Sequence, residues 1–95
     1  MYAAAEIIHQ HGYTIYDDLV HGFGGGYLEP VLRTRQTTHG DVKSFTFLEN
    51  MCVVIQPNVV TLDQRAGIQV GQLHLVTAQG LEALQHFPLE FIVLR

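Results

Sequence analysis

The groups in this chain that could do chemistry are few, and their spacing decides what they can do. Six histidines raise the question of a metal site. His9 and His11 lie two apart on what reads as a helix, so their side chains diverge. His39 sits in a polar stretch, His74 in an alternating one and His86 near a turn. No pair has the spacing of a zinc motif. Asp17 and Asp18 look like paired carboxylates, but adjacent residues seldom converge on one target, and a turn or cap role fits them better. Glu29 precedes Pro30 and suits a backbone donor or Arg33 as its partner rather than catalysis. The glycines at 22, 24, 25 and 26 have the outline of a phosphate-binding loop. No Gly-Lys-Ser/Thr follows them and no helix opens after them, so close packing of backbone against a neighbouring strand is the better reading. His21, beside these glycines, reads either as a remnant metal ligand or as a histidine satisfied by backbone groups. The second is favoured, because no partner ligand is visible. Tyr13, Tyr16, Tyr27 and Phe23 could line a pocket or form ordinary core and rim.

These residues must be positioned by a small set of elements. Residues 2–11 read as a helix, with Ala4, Ile7, Ile8 and His11 on one face and Gly12 as its stop. Its abrupt start, with no capping residue before Tyr2, suggests a chain cut from a longer helix. Ile15, Leu19 and Val20 are candidate core anchors. Residues 33–44 are polar and suit an exposed loop or an irregular hairpin, with Phe45 to Phe47 as a short strand. Leu48 to Asn50 reads as a turn. Met51 to Ile55 is a continuous apolar run that predicts a strand buried on both faces and ended by Pro57. Leu62 to Ala66 reads as a loop. Gly67 to Thr77 alternates as one strand, with Ile68, Val70, Gln72, His74 and Val76 on one face. Gln79-Gly80 marks a tight turn, and Leu89 to Leu94 a further strand or an extended tail.

The bulk numbers bound the answer. With 95 residues there is room for one domain, whose stability margin is thin. Hydrophobic residues at 47% and charged residues at 15% argue against disorder. Only 5 Lys+Arg and a net charge of −4 leave no footprint for nucleic acid. No apolar run approaches the roughly 20 residues needed to span a bilayer, and no signal peptide is visible. A lone Cys52 reads as a small buried hydrophobe in a reducing, cytoplasmic setting.

Two motifs stand out together. The first is Val20-His21-Gly22-Phe23-Gly24, then Gly25-Gly26-Tyr27, then Leu28-Glu29-Pro30. The second is Asn50-Met51-Cys52-Val53-Val54-Ile55-Gln56-Pro57-Asn58. With Gly67-Ile68-Gln69-Val70-Gly71-Gln72, they resemble the C-terminal part of the pita-bread metallopeptidases. That family includes aminopeptidase P, prolidase, methionine aminopeptidase and their metal-free relative creatinase. The resemblance covers nearly all of residues 1–87. It implies an α+β fold: a helix packed on a curved antiparallel sheet built from segments near 18–23, 27–32, 51–57 and 67–77, forming the C-terminal half of a pita-bread domain. It also implies a missing N-terminal half that carries two aspartate ligands.

The resemblance places family roles on named positions. His21 falls on the metal-binding histidine, and Leu28 on a second histidine that contacts the substrate. Gln56 falls on a metal-ligating glutamate, Gly71 on the glutamate that bridges two metals, and Gln69 on an arginine. Gln69 and Tyr27 are the candidate substrate-binding positions. The family uses divalent Mn, Co or Zn, but Gln56 and Gly71 supply no anionic ligand here, so no cofactor is expected. The implied protein is a peptidase-like module that has lost metal-dependent hydrolysis and serves in binding or scaffolding. The alternative is a part of an active Xaa-Pro peptidase, or of a creatinase-like hydrolase, when full length. Loss of the other half would uncover an apolar sheet face, so a homodimer is expected in isolation, with no nucleic-acid or membrane partner.

Overall fold

The strands of this chain form two antiparallel sheets, which meet at three short breaks in the chain. The computed structural model describes residues 2–33 and 44–95. Among them β1 (Tyr13–Ile15), β5 (Asn58–Thr61) and β6 (Gly67–Gln69) form a three-stranded sheet in the order β1-β5-β6. A five-stranded sheet has the order β3-β2-β4-β7-β8, from Tyr27–Arg33, Asp18–Phe23, Cys52–Ile55, Gln72–Thr77 and Gly80–Ala83. The breaks fall at Tyr16-Asp17, Gln56-Pro57 and Val70-Gly71. Backbone bonds link the first two of them: Gln56 N–H donates to the Leu19 carbonyl at 2.8 Å, and Tyr16 N–H to that of Asn58 at 3.0 Å. The three breaks together form the junction, or crease, between the two sheets. Pro57 sits in it, where a residue without an N–H donor leaves no ladder bond unmade.

The helix α1 (Tyr2–Gln10) ends as the sequence predicts, with Gly12 at φ 82°, a backbone angle that glycine accepts without strain. Its buried face is not the expected one. Ala5 is buried and Ile8 half-buried, whereas Ala4, Ile7 and His11 are exposed. His11 instead bonds through Nδ1 to the Ile7 carbonyl at 2.8 Å. Ala5 joins Ile15, Leu19, Val20, Val53 and Val76 in the buried cluster, with Ile8, Leu32, Met51 and Ile55 packed around it. The β2–β3 register slips between Asp18 and Val20. Such a bulge lets the adjacent Leu19 and Val20 both enter the core.

Other expectations need correction. Gly67 to Thr77 is not one strand. β6 pairs with β5, whereas β7 pairs with β4, so the alternation proposed from Ile68 through Val76 is interrupted at the crease. Asn58–Thr61, given no element in the sequence reading, is the middle strand of the smaller sheet. β4 is the central strand of the larger sheet, yet only Val53 along it is fully buried. Val54 lines an open recess on the opposite face. Phe45 and Phe47 form no strand, and their rings meet each other edge to face at 5.4 Å. Glu49 and Asn50 make the expected turn, with Asn50 at φ 72°. The Leu62–Ala66 loop and the turn before Gly80 are where the sequence puts them, and Gly80 to Ala83 adds an edge strand after the latter. Residues 91–95 carry no strand pairing and form a tail. The expected loop at 33–44 falls largely outside the described residues. No described helix is long and apolar enough to cross a membrane.

Candidate functional site

The site begins with a hairpin. β2 and β3 pair through Gly22 and Leu28, and Phe23 and Tyr27, around a turn in which Gly25 and Gly26 take φ of 75° and 155°. These angles are open to glycine and costly for side chains. Gly22 is required for a different reason. A methyl group there would run into the Glu29 carbonyl oxygen and lie 2.9 Å from its carbon. The close backbone approach expected of the glycine segment is thus realised at Gly22. Glu29, joined to Pro30 by a cis peptide bond, accepts a hydrogen bond from Val31 N–H at 3.1 Å. Its carboxylate therefore has the backbone partner that the sequence suggests. Arg33 pairs with Asp17 instead, Nε to Oδ1 at 3.1 Å, beside the crease.

His21 lies on β2 opposite Val54 of β4 and is 7% exposed. Its Nδ1 lies 2.9 Å from the Gly22 carbonyl, which can only accept, so Nδ1 carries a proton. In the neutral ring Nε2 is then an acceptor. Gln56 Oε1 lies 3.4 Å from it, and turning the carboxamide end for end offers the ring an N–H donor. Gly71 completes the cluster. A Cβ placed on it would lie 2.9 Å from Gln56 Cγ, 3.0 Å from Cδ and 3.2 Å from Cβ. The Gln56 side chain thus fills the space that a residue at 71 would need. Positions 21, 56 and 71, far apart in sequence, are brought together where β2, β4 and β7 run side by side.

A recess of about 230 Å³ opens here, lined by Phe23, Val54, Gln56, Gly71, Leu73 and Gln85. Gln85 was not foreseen. Its carboxamide oxygen accepts from Leu73 N–H at 2.9 Å, and its carbonyl lies 3.4 Å from Gln72 Nε2. A single glutamine after a strand carries no sequence signal that would have flagged it. The recess offers apolar walls and neutral carboxamides, a lining suited to an uncharged polar group.

The remaining sequence candidates lie elsewhere. Leu28, half-exposed, faces Gly24: its Cδ1 would lie 3.0 Å from a Cβ there. Gln69 is exposed on β6, across from Asn58 in the smaller sheet. Tyr27 pairs with Phe23 through the backbone. His74 bonds through Nδ1 to the Gln72 carbonyl at 3.0 Å. Cys52 is half-buried rather than buried. The clearest electrostatic displacement is at the β5–β6 turn, away from the recess. The Thr61 hydroxyl at 2.6 Å, and then Arg65 N–H at 3.2 Å, hold the exposed Asp63 carboxyl below its ordinary value of 3.8.

Comparison of the chain with protein-family models, with curated proteins and with solved structures found no match. The donor set must therefore be judged by its own chemistry. One imidazole and one neutral carboxamide stand where a dinuclear Mn, Co or Zn centre needs several anionic oxygens, and Gly71 contributes no side chain. These residues do not fit such a centre.

Proposed function

We propose that this chain is a peptidase-like module of the pita-bread type whose metal corner has become a neutral hydrogen-bonded cluster, and that it binds or scaffolds instead of hydrolysing. The observation carrying this reading is the convergence of His21, Gln56 and Gly71. Three separate motifs nominate these positions, and Nε2 of the first and Oε1 of the second come within 3.4 Å. The sheet order supports it further, since β2, β4 and β7 are adjacent, with His21 on β2, Gln56 directly after β4 and Gly71 directly before β7. On this reading α1 packs on the outer face of a curved sheet and the recess opens on the inner face. An N-terminal half of the same protein would be the natural partner, and a cytoplasmic location suits the free Cys52.

The test has two arms. Calorimetric titration of the protein with Mn(II), Co(II) and Zn(II) is expected to give no stoichiometric uptake that depends on Gln56. Assay of the protein, in its longest natural form, against Xaa-Pro peptides with each metal is expected to give no turnover. Tight uptake lost on Gln56→Ala, or robust metal-dependent cleavage, would overturn the reading.

A further inference from the structure

The strongest unexplained feature is the C-terminal tail. Its root is fixed: Leu84 N–H donates to the Leu73 carbonyl at 2.9 Å, and Leu73 N–H to Gln85 Oε1. Beyond it, Phe91, Ile92, Val93 and Leu94 are four consecutive apolar residues in water, with Phe91 88% and Leu94 91% exposed. Aromatic and β-branched residues on both alternation faces are the pattern of a strand covered on both sides. The segment leading into it, Phe87 to Phe91, forms one wall of a cavity of about 450 Å³, whose other wall includes Ile68, Val70 and Gln72.

We infer that the tail is a self-complementary strand, and that its occupant is the same segment of a second copy of this chain. An antiparallel pairing about a two-fold axis between Ile92 and Val93 places Ile92 opposite Val93, Phe91 opposite Leu94 and Glu90 opposite Arg95. Each face of the resulting ribbon carries Ile92 and Leu94 from one copy with Phe91 and Val93 from the other. A Glu90–Arg95 pair closes each end. The two charges of the tail thus meet with opposite sign in the one register that also aligns all four apolar residues. A closed two-fold interface is isologous, so each stabilising contact occurs twice. The ribbon covers both tails, and its apolar face closes the cavity beside Ile68 and Val70. This inference is independent of the peptidase-like reading.

The experiment is sedimentation velocity of the full chain over a range of concentrations, with far-UV circular dichroism as the folding control. The wild type is expected to sediment as a discrete dimer. Glu90→Arg alone, or Arg95→Glu alone, sets like charges opposite each other twice per dimer and is expected to weaken association about tenfold or more. The double variant Glu90→Arg/Arg95→Glu restores opposite charges and is expected to recover it. A chain ending at Leu89, with an unchanged spectrum, is expected to be monomeric. A wild-type monomer at high micromolar concentration would overturn the inference. So would open-ended aggregation, a double variant no better than the singles, or a truncated chain that dimerises as before.

Discussion

Gly22→Ala adds one methyl group to β2, and the structure fixes what that methyl meets. The Glu29 carbonyl oxygen lies closest, with the Glu29 carbonyl carbon at 2.9 Å and the Leu28 carbonyl oxygen at 3.1 Å. All three atoms are backbone of β3, so no rotamer change can relieve the contact. The strands would have to separate near a register shift that already lies between His21 and Gly22. Overpacking of this kind costs about 1–3 kcal/mol. For a domain of this size each kcal/mol lowers Tm by about 4–8 °C, so a cost near 2 kcal/mol is a drop of about 8–16 °C. Stability by urea denaturation, at a single protein concentration so that association does not intrude, is the direct assay. The displaced hairpin also carries His21, whose Nδ1 bond to the Gly22 carbonyl can be followed through the ring nitrogen signals in an NMR spectrum. A Gly22→Ala protein within about 0.5 kcal/mol of wild type would refute the close backbone approach on which the hairpin geometry rests.

Val53→Ala removes two methyl groups from a side chain that is 1% exposed at the centre of the larger sheet. It should cost about 2 kcal/mol by urea titration, whereas Leu81→Ala, at a half-exposed edge-strand position, should stay within about 0.5 kcal/mol. Asp63 gives a pH signature. Its folded value lies below 3.8, so its stabilisation is present above that pH and is lost as pH falls through the lowered value. Amide protection across Asn58–Gln69, taken relative to the intrinsic exchange rate at each pH, should therefore fall on acidification in the wild type, and an Asp63→Asn variant should show a flatter pH dependence.

How much of this was legible in the sequence differs from element to element. The helix stop at Gly12, the anchors Ile15, Leu19 and Val20, and the turns at Asn50 and Gly80 follow from local chemistry, and each was readable. The crease was not. Val70 and Gly71 continue an unbroken alternation on paper, because period-2 patterning records which side of a strand a residue occupies and not which sheet the strand belongs to. Asn58 to Thr61 hid behind Pro57, since a proline that ends one run conceals a strand that starts one residue later. The helix face was misjudged for a related reason. Ala4, Ile7, Ile8 and His11 share a side, but the burial of Ala5 depends on where β1 lies, which no helical pattern records. For the site, the family resemblance nominated His21, Gln56 and Gly71, which the fold places side by side. Leu28 and Gln69 were nominated by the same resemblance and lie on other surfaces.

The cluster makes a last prediction, because its two neutral positions interlock. Gln56 Cγ and Cδ lie 2.9 and 3.0 Å from where a Cβ at 71 would sit. These atoms belong to a flexible side chain, so Gly71→Ala should be cheaper than Gly22→Ala, but only if Gln56 swings aside. Swinging aside carries its carboxamide away from His21 Nε2. In a Gln56→Ala background the two closest atoms are gone, and of these three contacts the same methyl at 71 keeps the Cβ at 3.2 Å. The double-mutant cycle should therefore show a coupling energy of about 0.5–2 kcal/mol, with Gly71→Ala less costly when Gln56 is absent. Strict additivity would mean that the two residues do not compete for one space. A measurable coupling means that a side chain at 71 and Gln56 in its present position exclude each other, so that the bare backbone of Gly71 is what leaves room for the Gln56 carboxamide beside His21.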